Sequence, residues 1–156
     1  MRTKKTTSFN SGGRQGGFSL LEVLISVVVL SIGLLGMAAL QINAMKNSQS
    51  SFQRTQAVML SYYMLDAMRA NRADAIAENY NLAKTCVVPV EGGSLVSRDR
   101  HFWLQALKDN IGVAATTCGQ ITCVAATSIC TVRIYWNDDR GTGGAGEQLF
   151  ETSTRM

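Results

Sequence analysis

The sequence predicts an α+β chain: a long N-terminal helix, then a small head combining a short helix with antiparallel strands. Three observations predict it. From Val23 to Met45 there are 23 consecutive residues without a charge. Between Ile42 and Tyr80 there is neither proline nor glycine. Later, "CTVRIYW", Cys130 to Trp136, alternates Val132, Ile134 and Trp136 with Arg133 and Tyr135, the period of a strand with one buried face.

Composition frames these elements. The chain has 156 residues, 46% hydrophobic and 17% charged, which fits one folded domain and not a disordered chain. Its formal charge of +4 is unevenly placed. Arg2, Lys4, Lys5 and Arg14 are four of the 15 basic residues, and residues 1–17 hold no acidic one; the remainder carries 11 basic against 11 acidic. A neutral remainder without a basic stripe argues against a nucleic-acid partner. The leader reads as a targeting segment whose cations stay on the cytoplasmic side of a membrane.

The apolar run is long enough for a membrane, since about 20 helical residues cross a bilayer core. Only Ser26, Ser31, Gln41 and Asn43 interrupt it with marked polarity. An ordinary secretory signal has a shorter apolar region, about 7–15 residues, and a small-residue cleavage site, for which Ala38-Ala39 would serve. The length of the run and Glu22 at its start argue against that reading. A carboxylate in an apolar setting needs a cationic partner or a proton. Glu22 therefore either meets a cationic partner or rests as a charge among headgroups.

Beyond the run the helix is expected to continue to about Tyr80. Ile42, Met45, Phe52, Met59, Tyr63 and Ala67 recur at spacings of mostly three, four or seven, widened by Leu60, Met64 and Met68; this stripe reads as core-facing. Residues 18–42 would form the membrane-spanning half of the helix, 43–80 its amphipathic half and 81–156 the head. "AKTCVVPVEGGSLVSRDR" reads as loop, broken by Pro89 and Gly92-Gly93. "RDRHFWLQALKDNIG" reads as a helix capped by Ser97 or Asp99 and ended by Gly112, burying Phe102, Trp103, Ala106, Leu107 and Ile111. "EQLFETS" and "GQITCVAA" are further strands.

Cys86, Cys118, Cys123 and Cys130 make an even count in a small head. On the far side of a membrane they form up to two disulfides, with three pairings open. Zinc is disfavoured, because Cys-x4-Cys and Cys-x6-Cys are not ribbon spacings and His101 is the single histidine. His101 stands beside Phe102 and Trp103 and reads as structural, so no nucleophile–base set forms. "GTGGAG", Gly141 to Gly146, fits G-x-G-x-x-G, but too few residues follow for the required helix and strand, and it reads as a hairpin loop. Asp138 and Asp139 in "NDDR" read as turn residues rather than calcium ligands. No catalytic residue, metal or cofactor is expected.

"GGFSLLEVLISVVVLSIGL" resembles the class III signal of type IV pilins and their pseudopilin relatives. The resemblance implies that a prepilin peptidase cuts between Gly17 and Phe18 and methylates the freed amine of Phe18. Ser19, Leu20 and Leu21 fill the intervening sites, and Glu22 takes the acidic fifth mature position. Glu22 would then pair with the Phe18 amine of its own chain or with that of a neighbour. Ala39 departs from the helix-bending proline of many major pilins, leaving Gly33 and Gly36 to loosen the helix.

"SYYMLDAMRANR", within Gln56 to Arg72, resembles a minor-pilin group. Taken together, the resemblance implies a type IV pilin-like fold, with a three- or four-stranded antiparallel sheet packed on the outer half of the long helix. It implies a non-catalytic subunit that primes pilus assembly. Its partners would be other minor pilins, the major pilin, the prepilin peptidase, the inner-membrane assembly platform and an adhesin at the tip. Its place would be the inner membrane with a periplasmic head, then the fibre. A type II secretion pseudopilin shares this architecture. An exported soluble protein with an ordinary signal peptide is the reading from another class.

Overall fold

The computed structural model describes residues 17–139, 141 and 144–156. The basic leader, except Gly17, and part of the GTGGAG stretch lie outside the described residues. The elements run α1 (Leu20–Ala70), α2 (Arg72–Ile76), β1 (Leu82–Thr85), α3 (Leu95–Asn110), β2 (Cys118–Val124), β3 (Ile129–Trp136) and β4 (Gln148–Arg155). The chain divides into two units, up to Ala39 and from Leu40 onward.

In the first unit every described residue exposes its side chain. The polar breaks in the apolar run are satisfied within the helix: Ser26 Oγ donates to the Glu22 carbonyl at 2.6 Å and Ser31 Oγ to that of Val27 at 2.7 Å. A hydroxyl returned to the carbonyl four residues back leaves little polarity to solvate, which suits a bilayer. Helix geometry continues through Gly33 and Gly36.

The second unit is the head, built on one hydrophobic core. From α1 it takes Ala57, Met64, Leu65 and Met68; from α3, Val96, Trp103, Leu104 and Leu107; from the sheet, Ile121, Val132, Ile134 and Trp136. The four strands form an antiparallel meander in the order β1-β2-β3-β4. The outer half of α1 packs against this sheet, which is the type IV pilin-like α+β arrangement the resemblance implied.

The core-facing stripe differs from expectation. Leu60, Met64, Ala67 and Met68 do face the core, but Ile42, Met45, Phe52, Met59 and Tyr63 are all at least 50% exposed. At about 100° per residue, Phe52, Met59 and Tyr63 lie opposite Ala57, Ser61 and Met68. The helix has two apolar faces, and the head takes the one where small Ala57 and Ser61 permit close approach. Periodicity alone merges the two.

The helix also ends earlier than expected, at Ala70 rather than near Tyr80. Asn71, at φ −116° and ψ 54°, leaves helical geometry before the five-residue α2. A polar knot holds the break. Asn71 Nδ2 donates to Asp74 Oδ2 at 2.7 Å, Asn79 Nδ2 to Asp74 Oδ1 at 2.8 Å, and the Tyr80 hydroxyl to Asp99 Oδ2 at 2.6 Å. The two amide donors, Asn79 foremost, hold the Asp74 carboxyl below its ordinary value. Tyr80 is fully buried.

The expected loop over Ala83 to Arg100 contains β1 instead. Its sequence, LAKT, is too short and too polar to show strand periodicity. The strand exists because both ends are tied down. Asn81 exchanges two hydrogen bonds with the Cys123 backbone at its start, and a Cys86–Cys118 disulfide closes its far end. The α3 cap is Ser94 rather than Ser97 or Asp99, its side chain accepting from the Ser97 N–H at 3.1 Å. Leu104 is buried and Phe102, expected inside, is 51% exposed.

Gly119 of β2 lies under the Trp103 ring: a Cβ there would fall 2.6 Å from two ring carbons and 3.1 Å from Leu104 Cδ2. Trp103 has no room to retreat, so Gly119→Ala is expected to destabilise the head by about 1–3 kcal/mol, measured by urea unfolding with tryptophan fluorescence. Burial first, and the Asp99 hydrogen bond second, push the Tyr80 hydroxyl up to about 12. The folded value exceeds the unfolded one, so its contribution is full below about pH 10 and disappears as pH rises towards 12. Tyr80→Phe is expected to flatten that alkaline decline relative to wild type in unfolding curves taken across this range.

Candidate processing and assembly site

The residues singled out at the apolar boundary are Gly17, Phe18 and Glu22. Ser19, between them, starts the helix. Its carbonyl accepts from the Glu22 N–H at 3.0 Å and the Val23 N–H at 3.2 Å, while its Oγ accepts from the Leu21 N–H at 3.3 Å. The hydroxyl thus meets one of the N–H groups that a first turn leaves without a partner. Ser19-Leu20-Leu21-Glu22 has the Ser-x-x-Glu form of a capping box, a signal present in the sequence that the charge of Glu22 overshadows. Its physical content is that Glu22 stands in the first turn, where the helix dipole favours an anion.

Among the described residues nothing covers the junction. Phe18 is 81% exposed, and a Cβ on Gly17 would meet none of them within 4 Å. Glu22 is exposed, and its carboxylate makes no hydrogen bond or ion pair among the described residues. In this uncleaved chain the Phe18 nitrogen is a peptide amide, so the charge pairing considered above belongs to the processed chain. Downstream, α1 contains a window of mean hydropathy 2.7, long and apolar enough to cross a membrane.

Residues 12–38 match the family model described as the prokaryotic N-terminal methylation motif. The match supports a type IV pilin-like family. No curated protein and no solved structure matches the chain. The motif indicates a protein processed in the manner of type IV pilins and pseudopilins, a group that is generally structural. It implies processing by a prepilin peptidase and involvement with pilus assembly machinery. Together with the apolar helix, it supports inner-membrane anchoring and incorporation into a pilus.

The cysteines join as Cys86–Cys118 and Cys123–Cys130. Cys123 and Cys130 are direct partners in the β2–β3 register, which is how the fold selects among the three pairings. His101 lies against the Pro89 carbonyl, with Nδ1 at 2.7 Å, and edge-on to Phe102. After the glycine-rich stretch comes β4, where a dinucleotide-binding turn would require a helix. Among the described residues, no group of three or more His, Cys, Asp or Glu side chains is placed to hold a metal ion.

Asp138 and Asp139 turn to different partners. Asp139 closes a local turn with Asn137. The Asp138 side chain is 2% exposed, accepts from Ser50 Oγ at 2.5 Å and lies 3.6 Å from Arg54 Nη2. Its carbonyl accepts from the Gly141 N–H and its N–H donates to the Ala145 carbonyl. Asp138 therefore fastens the β3–β4 connection to α1, a long-range tie invisible in "NDDR". Asp138→Ala is expected to cost about 1.5–3 kcal/mol, the range for hydrogen bonds to a charged group, measured by unfolding of the full chain in detergent.

Proposed function

We propose that this chain is a minor pilin, most like PilV, the type IV pilus modification protein: a non-catalytic subunit that primes assembly of the fibre. The observation that carries the reading is the Gly17-Phe18 junction, exposed and sterically open, followed at fixed spacing by Glu22 in the first turn of a membrane-length helix. The Gln56 to Arg72 stretch supports the narrower assignment. Prepilin peptidase cleaves after Gly17 and methylates Phe18. Glu22 then meets the cationic Phe18 amine of its own chain or of a neighbour, which neutralises the carboxylate and sets subunit register.

Before assembly the segment 18–42 crosses the inner membrane and the head lies in the periplasm. Afterwards the apolar face of the segment is covered by other subunits: the major pilin, other minor pilins and an adhesin at the tip, joined through the assembly platform. The outward Phe52, Met59 and Tyr63 of the second unit offer such neighbours an apolar surface of their own. The type II secretion pseudopilin remains the adjacent reading, and the two disulfides favour the pilin.

Gly17→Ala adds a methyl group that meets nothing within 4 Å among the described residues, so its effect reports recognition by the peptidase and not folding of the head. It is expected to leave the leader attached, whereas Glu22→Ala is expected to be cleaved and methylated normally but to enter fibres poorly. Intact mass and N-terminal sequencing read the first outcome, and recovery in sheared pili reads the second. Normal fibres from both variants would overturn the proposal.

A further inference from the structure

The edge of the sheet at β4 carries a feature that processing and membrane insertion do not use. The strand order leaves β4 with one neighbour, β3. Their register is unbroken from Ile129↔Arg155 to Trp136↔Gln148. The Met156 N–H donates to the Ser128 carbonyl at 2.8 Å, which fixes the phase of the ladder. Hydrogen-bonded and non-hydrogen-bonded pairs alternate in antiparallel strands, so Gln148, Phe150, Thr152 and Thr154 bond inward to β3. Leu149, Glu151, Ser153 and Arg155 direct their N–H and C=O groups outward, and all four side chains are exposed.

An edge of eight residues is normally guarded by proline, a bulge, a short strand or charged side chains. β4 has no proline, bulge or lysine, and its charges are of opposite sign. Its two charges, Glu151 and Arg155, sit two residues either side of Ser153, on one sheet face and with opposite sign. That spacing is self-complementary. If two β4 strands pair antiparallel about Ser153, Glu151 of each copy stands opposite Arg155 of the other, and about six main-chain hydrogen bonds form. Glu151 already accepts from Arg133 Nε at 2.5 Å, and Arg155 Nε donates to the Thr127 carbonyl at 3.4 Å, so the proposed pair would engage the Nη groups of Arg155 and place Glu151 between two guanidinium groups.

We propose that β4 is a self-pairing edge through which two copies of this chain join their sheets into one, centred on Ser153 and registered by two Glu151–Arg155 pairs. A second copy is the occupant because the charge pattern complements itself in this single register. The neighbouring register that still pairs outward groups is a slip of two residues, which places Glu151 opposite Ser153 and Arg155 opposite Leu149, and loses both pairs.

The test uses the full chain in detergent micelles, with association measured by sedimentation. The wild-type chain is expected to dimerise, and Glu151→Arg or Arg155→Glu alone to weaken the dimer by about tenfold, since each turns two attractive cross-strand pairs into repulsive ones. The double variant Glu151→Arg/Arg155→Glu is expected to restore it. Ser153→Cys is expected to give a disulfide-linked dimer under mild oxidation. Leu149→Cys is not, because this register holds the two copies of position 149 at opposite ends of the paired edge. A monomeric wild-type chain, a dimer indifferent to the single charge changes, or equal cross-linking at 149 and 153 would each overturn the proposal. Restoration by the double variant also separates loss of pairing from loss of the Arg133 contact, which that variant does not recover.

Discussion

The Trp103 indole is the contact on which the head depends. Its Nε1 donates to the Leu60 carbonyl of α1 at 3.0 Å, its ring covers Gly119 of β2, and its own backbone belongs to α3. One fully buried side chain therefore sets the separation of the long helix, the short helix and the sheet. To reach the Leu60 carbonyl, the indole must approach the backbone of α1 between its side chains. Small residues make that approach possible: Ala57 and Ser61 on α1, Gly119 on the strand. The remaining core, from Met64 to Trp136, fills space that this joint has already defined.

A second constraint comes from the polar groups that the packing traps. Asp138 is buried against Ser50, and Tyr80 against Asp99 and Asn71. Buried groups of this kind are tolerated when each finds a partner. Here the partners come from distant parts of the chain, so satisfying them also fixes loops that have little apolar surface of their own. The β3–β4 connection and the turn after α1 are held in this way.

Legibility of the fold followed the physics of each signal. The apolar run and the strand at Cys130 to Trp136 were readable because burial there is repetitive and local. The junction from Gly17 to Glu22 was readable because residue types stand at fixed spacing. Periodicity failed on α1, where two apolar faces overlap in a single pattern and only tertiary contact tells them apart. It failed again at β1, a strand made by its end ties and not by its own residues. The α3 cap is Ser94 and not Ser97 or Asp99 because cap-forming side chains recur at 94, 97 and 99 and the sequence ranks them alike. The Asp138 tie spans 88 residues, and no local pattern could announce it.

The two disulfides divide the head unequally. Cys86–Cys118 and Cys123–Cys130 bind β1, β2 and the start of β3 into a covalently cross-linked block. β4 lies outside it, attached by the ladder to β3 and by side-chain contacts such as Arg69 with Thr154. Under a pulling force the two parts therefore behave differently. Tension across the cross-linked block is borne by covalent bonds, whereas tension that peels β4 away from β3 is borne by ladder bonds that open one pair at a time. The mechanically weak seam of the head lies between β3 and β4, and a load carried through the rest of the sheet would leave it intact.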